Sequence, residues 1–134
     1  MKKILTLFVI FLTVVSVAFA QDSQPQKKQS EIKFDQTLYD FGRFPQDAPV
    51  QTCKFYFTNT GNDLLIIHQA IASCGCTVPK YPKEPIRPGE RGSITVTYNG
   101  TGKVPGVFKK SITLRTNAKT ELVRLYIMGE MEVK

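Results

Sequence analysis

From Glu31 onward the chain alternates apolar and polar residues in short stretches, and this period-two pattern limits its fold more than any other feature. Cys53, Phe55 and Phe57 share one parity, while Thr52, Lys54, Tyr56 and Thr58 take the other. Successive side chains of an extended chain point to opposite faces, so such a segment has one apolar face and one wet face. The alternation returns at Ile94, Val96 and Tyr98 against Ser93, Thr95 and Thr97. It returns again at Phe108, Ile112 and Leu114, where Lys110 is the exception on the apolar parity. No window of ten or more residues carries a capped 3.6-residue period, so the domain reads as all-β.

The spacing predicts strands over residues 32–34, 38–41, 50–59, 64–72, 76–78, 92–98, 107–115 and 121–129. Residues 64–67, Leu-Leu-Ile-Ile, are apolar at both parities, which predicts cover on both faces at the start of that strand. Turn chemistry lies between the runs. Pro88-Gly89 fits the two middle positions of a type II turn, and Asn59-Thr60-Gly61-Asn62-Asp63 supplies a tight connection in which Gly61 is able to take positive φ. Pro79, Pro82 and Pro85 punctuate a stretch unable to form a central strand, so residues 80–87 read as a surface loop or edge. Seven to eight short strands over about 100 residues fit two sheets packed face to face in an immunoglobulin-like β-sandwich. A closed barrel is the alternative.

Residues 1–20 stand apart. Met1-Lys2-Lys3 is a basic start, an apolar run extends from Ile4 to Ala20, and Ala18-Phe19-Ala20 has the small-x-small pattern of a cleavage site. A secretory signal peptide cleaved after Ala20 is the expected reading, with an uncleaved anchor as its competitor. No Cys follows the site for lipid attachment, so a periplasmic or secreted protein with no stable membrane span is expected. Residues 21–30 lack aromatic and branched apolar side chains and read as a flexible polar leader, and 31–134 as the domain. Removing Lys2 and Lys3 lowers the formal charge from +7 to +5. Export conflicts with a cytosolic cofactor enzyme or a genome-binding protein, and the scattered charges form no basic-aromatic stripe for nucleic acid. One His and no phosphate-cradling Gly-rich loop leave no catalytic constellation, so no enzyme is expected.

Three Cys in an exported chain leave at least one thiol unpaired. In an extended Cys74-Gly75-Cys76 the two Cα atoms would lie roughly 6.8 Å apart, at the limit of disulfide geometry, so a bond between them requires a turn at Gly75. Paired thiolates on one side of a turn also suit a soft metal such as Cu(I). Cys53, His68, Met128 and Met131 are the candidate additional ligands, set against ordinary packing for Cys53, Met128 and Met131 and a hydrogen-bonded structural role for His68. Lys80, Tyr81, Lys83 and Arg87 make the loop after the cysteines a candidate contact surface, against the plain reading of a solvated basic loop.

Asp40-Phe41-Gly42, Phe55-Tyr56-Phe57-Thr58-Asn59-Thr60-Gly61, Leu64-Leu65-Ile66-Ile67, Ser73-Cys74-Gly75-Cys76-Thr77-Val78-Pro79, Pro88-Gly89-Glu90 and Lys110-Ser111-Ile112-Thr113 occur in that order. Over residues 34–130 the chain resembles a bacterial family of exported immunoglobulin-like domains of unassigned function. That family is similar in fold to the ciliary and centrosomal domains related to major sperm protein, and more distantly to pilus chaperone sandwiches. The resemblance implies a binding or scaffolding module of the envelope with a protein or envelope component as partner. Position 53, often His in that pattern, is Cys here, and either residue is a metal ligand. The alternative function is thiol-based, Cu(I) binding or disulfide exchange at the Cys-Gly-Cys turn.

Overall fold

A computed structural model describes residues 24–133, and among these described residues there are eight strands and no helix. They are β1 (Ile32–Phe34), β2 (Leu38–Pro45), β3 (Val50–Asn59), β4 (Ile67–Ala72), β5 (Thr77–Lys80), β6 (Arg91–Asn99), β7 (Gly106–Thr116) and β8 (Leu122–Glu132). One sheet has the order β1-β3-β6-β5 and the other β2-β8-β7-β4, so the architecture is the sandwich and not the closed barrel. Every pairing is antiparallel except β2 with β8. The expected signal peptide at 1–20 lies outside the described residues.

The alternation read from the sequence sets the core. Phe55, Phe57, Ile94 and Val96 enter from one sheet and Ile112, Leu114, Leu125 and Ile127 from the other, all fully buried. Each such side chain contributes roughly 1.5–3 kcal/mol on leaving water. At one end Tyr98 of β6 stacks on Phe108 of β7 with ring centroids 4.0 Å apart, and Phe44 of β2 meets both rings edge-on. That aromatic group ties the two sheets directly.

Four expectations change. Residues 64–66 precede the strand instead of starting it: Leu65 makes an isolated bridge to Ile86, and the Asn117 side chain takes the Ile66 N–H and the Leu64 carbonyl. Leu65 and Ile67 are buried but Leu64 is exposed, so the run is covered on one face only. Gly61 does not have positive φ. It is glycine because the Gln29–Glu31 backbone crosses over it, and a Cβ there would press into the Gln29 carbonyl, the Ser30 Cα and the Glu31 N–H. That crossing also pulls the end of the leader into the fold. Ser30 is buried and donates to Asn117 Oδ1 at 3.1 Å, and the Gln29 N–H donates to Asn62 Oδ1 at 2.7 Å. The Pro88-Gly89 turn is as expected, with Gly89 at φ +79° and a Glu90 N–H to Arg87 carbonyl bond.

Candidate functional site

The chain changes sheets between β4 and β5, and both are edge strands. Cys74-Gly75-Cys76 is the corner that makes the change. It is a turn closed by the Thr77 N–H donating to the Cys74 carbonyl at 3.2 Å. The turn shortens the Cys74–Cys76 Cα separation to 5.3 Å and brings the two sulfurs to bonding distance. The Cys76 N–H donates to Cys74 Sγ at 3.2 Å, and the Thr77 hydroxyl lies 3.8 Å from Cys74 Sγ and 3.7 Å from Cys76 Sγ. Both cysteines are half-buried, and Thr77 is buried beneath them. Gly75 needs no positive φ, and a Cβ added to it would meet open space, so the backbone does not require glycine at this position.

The four sheet edges differ in how they are protected. A free edge offers unpaired N–H and C=O groups, which prolines, charges and bulges normally blunt. β5 has Pro79 and Lys80; β1 is three residues long with Lys33 in its middle; β2 carries Asp40, Arg43, Pro45 and a register shift between Asp40 and Arg43. β4, Ile-His-Gln-Ala-Ile-Ala, has no Asp, Glu, Lys, Arg or Pro. Its partner is β7, and the Ser73 N–H donating to the Ser111 carbonyl fixes which residues face that partner. Antiparallel alternation then turns the N–H and C=O of Ala70 and Ala72 outward. The carbonyl of His68, at the irregularity between Ile67 and Gln69, is taken by the Tyr81 hydroxyl at 3.2 Å. Ile71 on β4 and Val78 on β5, 54% and 51% exposed, lie on either side of the corner.

A family model described as a protein of unknown function, DUF1573, matches residues 32–131. The chain belongs to the DUF1573 family. Comparison with curated proteins gives no match. Among solved structures, this DUF1573 chain is similar to a protein of unknown function from Porphyromonas gingivalis, at 14% identity and a TM-score of 0.66 over 83% of this chain. It spans about half of that protein, 51% of its length. A PapD-like domain of human CEP192 aligns over 89% of this chain and 97% of its own, at 9% identity and a TM-score of 0.61. The YadV chaperone aligns over 75% of this chain and 52% of its own, at 14% identity and a TM-score of 0.56. At these identities the likeness establishes the immunoglobulin-like fold.

The other candidate residues of this DUF1573 chain sit away from the corner. Cys53 is buried on β3 beside Val96 of β6, which in turn pairs with Pro79 of β5. It is therefore two strands from β5, about 10 Å across the sheet, and burial pushes its thiol up to about 11. His68 is exposed on β4. Met131 is buried in the core and Met128 lies half-buried on the outer face of β8. Among the described residues no group of three or more His, Cys, Asp and Glu is placed to hold a metal ion.

The basic loop begins at the far end of β5, about 13 Å along the strand from Cys76. Tyr81 packs against the core while Lys83 Nζ sits 3.4 Å from its ring centroid. Lys80 and Arg87 are exposed, and the Arg87 N–H is held by Glu90 Oε2 at 3.0 Å. The sequence reading did not single out β4, because which strands become edges depends on sheet order. The lack of charge and proline in residues 67–72 was the available signal.

Proposed function

We propose that the chain is an exported, non-catalytic protein-binding module of the bacterial envelope that accepts an extended segment of its partner as an added strand on β4. The observation that carries this reading is the unguarded edge: six strand residues without charge or proline, in a sandwich whose three other edges are blunted. An added strand bonds to the outward N–H and C=O groups of Ala70 and Ala72, and its side chains meet Ile71 on one face. The likeness in fold to YadV and to the periplasmic chaperone SfaE supports protein binding as the class of activity. The basic, apolar start of the chain and its small-x-small end support export.

The test is a photo-crosslinking amino acid placed at Ile71 in the producing cell. A discrete protein adduct is expected there, with none from the same probe at Lys54 on the outer face of β3. Ala72→Pro removes an outward N–H without breaking a bond to β7, and it abolishes the adduct. Equal labelling from Ile71 and Lys54, or an adduct insensitive to Ala72→Pro, contradicts the reading.

A further inference from the structure

The β4–β7 ladder continues past its last paired strand residues, Ala72 and Ile112, to Ser73, whose N–H donates to the Ser111 carbonyl. The Ser111 N–H returns a bond to Ser73 Oγ at 3.1 Å. Lys110 is the next residue along β7 from Ser111, so it borders the turn that begins at Cys74. Lys110 is the residue that interrupts the apolar parity of β7, and it is half-buried. No ion pair among the described residues uses its ammonium. The corner therefore holds a sulfur pair, a backbone N–H aimed at one sulfur and a hydroxyl near both, with a lysine on the neighbouring strand.

We propose that Cys74–Cys76 is a thiol–disulfide exchange site whose substrate is a dithiol or disulfide of another molecule, and that Lys110 and Thr77 are its positioning residues. A bond between residues two apart closes a very small loop, so it removes little unfolded-chain entropy and links segments the peptide chain already joins. Its half-buried position, with the Cys76 N–H and the Thr77 hydroxyl beside the sulfurs, suits exchange better than stapling. Nothing lies within 4 Å of a Cβ built on Gly75, so the turn is open to solvent at the residue between the two cysteines, while Cys76 packs partly against the core.

In the reducing direction the thiolate of an external dithiol attacks Cys76 Sγ. A mixed disulfide forms, the Cys74–Cys76 bond breaks, and Cys74 departs as a thiolate. Its charge meets the Cys76 N–H and the Thr77 O–H, and in this proposal the Lys110 ammonium reaches it from β7, which makes Cys74 the better leaving group. The second thiol of the dithiol then attacks its own partner sulfur, closing the external disulfide and releasing Cys76. Two electrons pass to the pair, and the two protons of the dithiol end on Cys74 and Cys76. Buried Cys53, with its raised pKa, takes no part.

The experiment uses the purified mature chain, with dithiothreitol and glutathione as thiol probes and mass spectrometry of the alkylated 74–76 peptide as readout. The oxidised pair is expected to be reduced in the folded protein. After reduction, Cys74 is alkylated by iodoacetamide with a pH midpoint below that of a free cysteine, about 8.5. Lys110→Met raises that midpoint and slows reduction roughly tenfold, Thr77→Val moves both in the same direction, and Lys110→Arg restores them. A purely structural Lys110 would leave the midpoint in place. A pair reduced only on unfolding in urea, or a midpoint identical in the wild type and in folded Lys110→Met and Thr77→Val proteins, overturns the proposal. Neither result bears on adduct formation at Ile71.

Discussion

The side chain of Asn59 donates from Nδ2 to the main-chain carbonyl of Ile86 at 2.9 Å, a buried bond between residues 27 apart. The same amide donates to the Asp63 carbonyl at 2.8 Å, and its Oδ1 accepts the Gly61 N–H at 3.0 Å. Asn59 is fully buried and so fastens the end of β3 to the turn after it and to the segment bridged to Leu65. Asn59→Ala leaves two carbonyls and the N–H groups of Gly61 and Glu31 without this partner, and a loss of about 3 kcal/mol is expected. Urea unfolding measures it, and a loss below about 1 kcal/mol contradicts the role given to this side chain.

Gly61 and Gly75 both occur in the motifs that carry the family resemblance, yet their substitutions should behave oppositely. Gly61→Ala places a methyl group inside the backbone of Gln29–Glu31, so about 2 kcal/mol or more is lost and the N-terminal segment becomes open to proteases. Gly75→Ala meets nothing within 4 Å and should stay within about 0.5 kcal/mol of wild type. Paired urea titrations with limited proteolysis check this, and similar losses for the two variants contradict it.

Cys53 should resist iodoacetamide in the folded protein and react once urea unfolds it, because it is buried in the core. Its alkaline behaviour has a definite sign. Burial lifts the thiol from its ordinary 9.0 to about 11, so below pH 9 both folded and unfolded states are neutral and stability is complete. Between pH 9 and about 11 only the unfolded chain ionises, and about 2–3 kcal/mol of stability is lost. Cys53→Val removes this component of the alkaline slope. Unfolding titrations from pH 8 to 10.5 that show equal slopes for variant and wild type exclude it.

The strand pattern was legible because burial imposes alternation directly on residues such as Phe55, Phe57, Ile94 and Val96. The Cys74-Gly75-Cys76 turn was legible too, since an extended chain keeps those sulfurs apart. Residues 64–66 misled because their contacts come from Asn117 and Ile86, which local periodicity does not register. The close fit at Gly61 depends on Gln29–Glu31, thirty residues earlier, and so appears only in three dimensions. Lys110 stood out in the sequence as a charge on an apolar parity. Its place beside Ser111, which pairs with Ser73 just before Cys74, emerges only from the β4–β7 register.

Residue-resolved amide hydrogen exchange along β4 tests the central claim most directly. In the isolated mature protein the Ala70 and Ala72 amides should exchange at least tenfold faster than those of Gln69 and Ile71, which bond to β7. In the Ile71-crosslinked complex the Ala70 and Ala72 amides should become protected by about 100-fold while Gln69 and Ile71 change little. Ala70 and Ala72 amides already protected in the isolated protein, or unchanged in the complex, would contradict strand addition on β4.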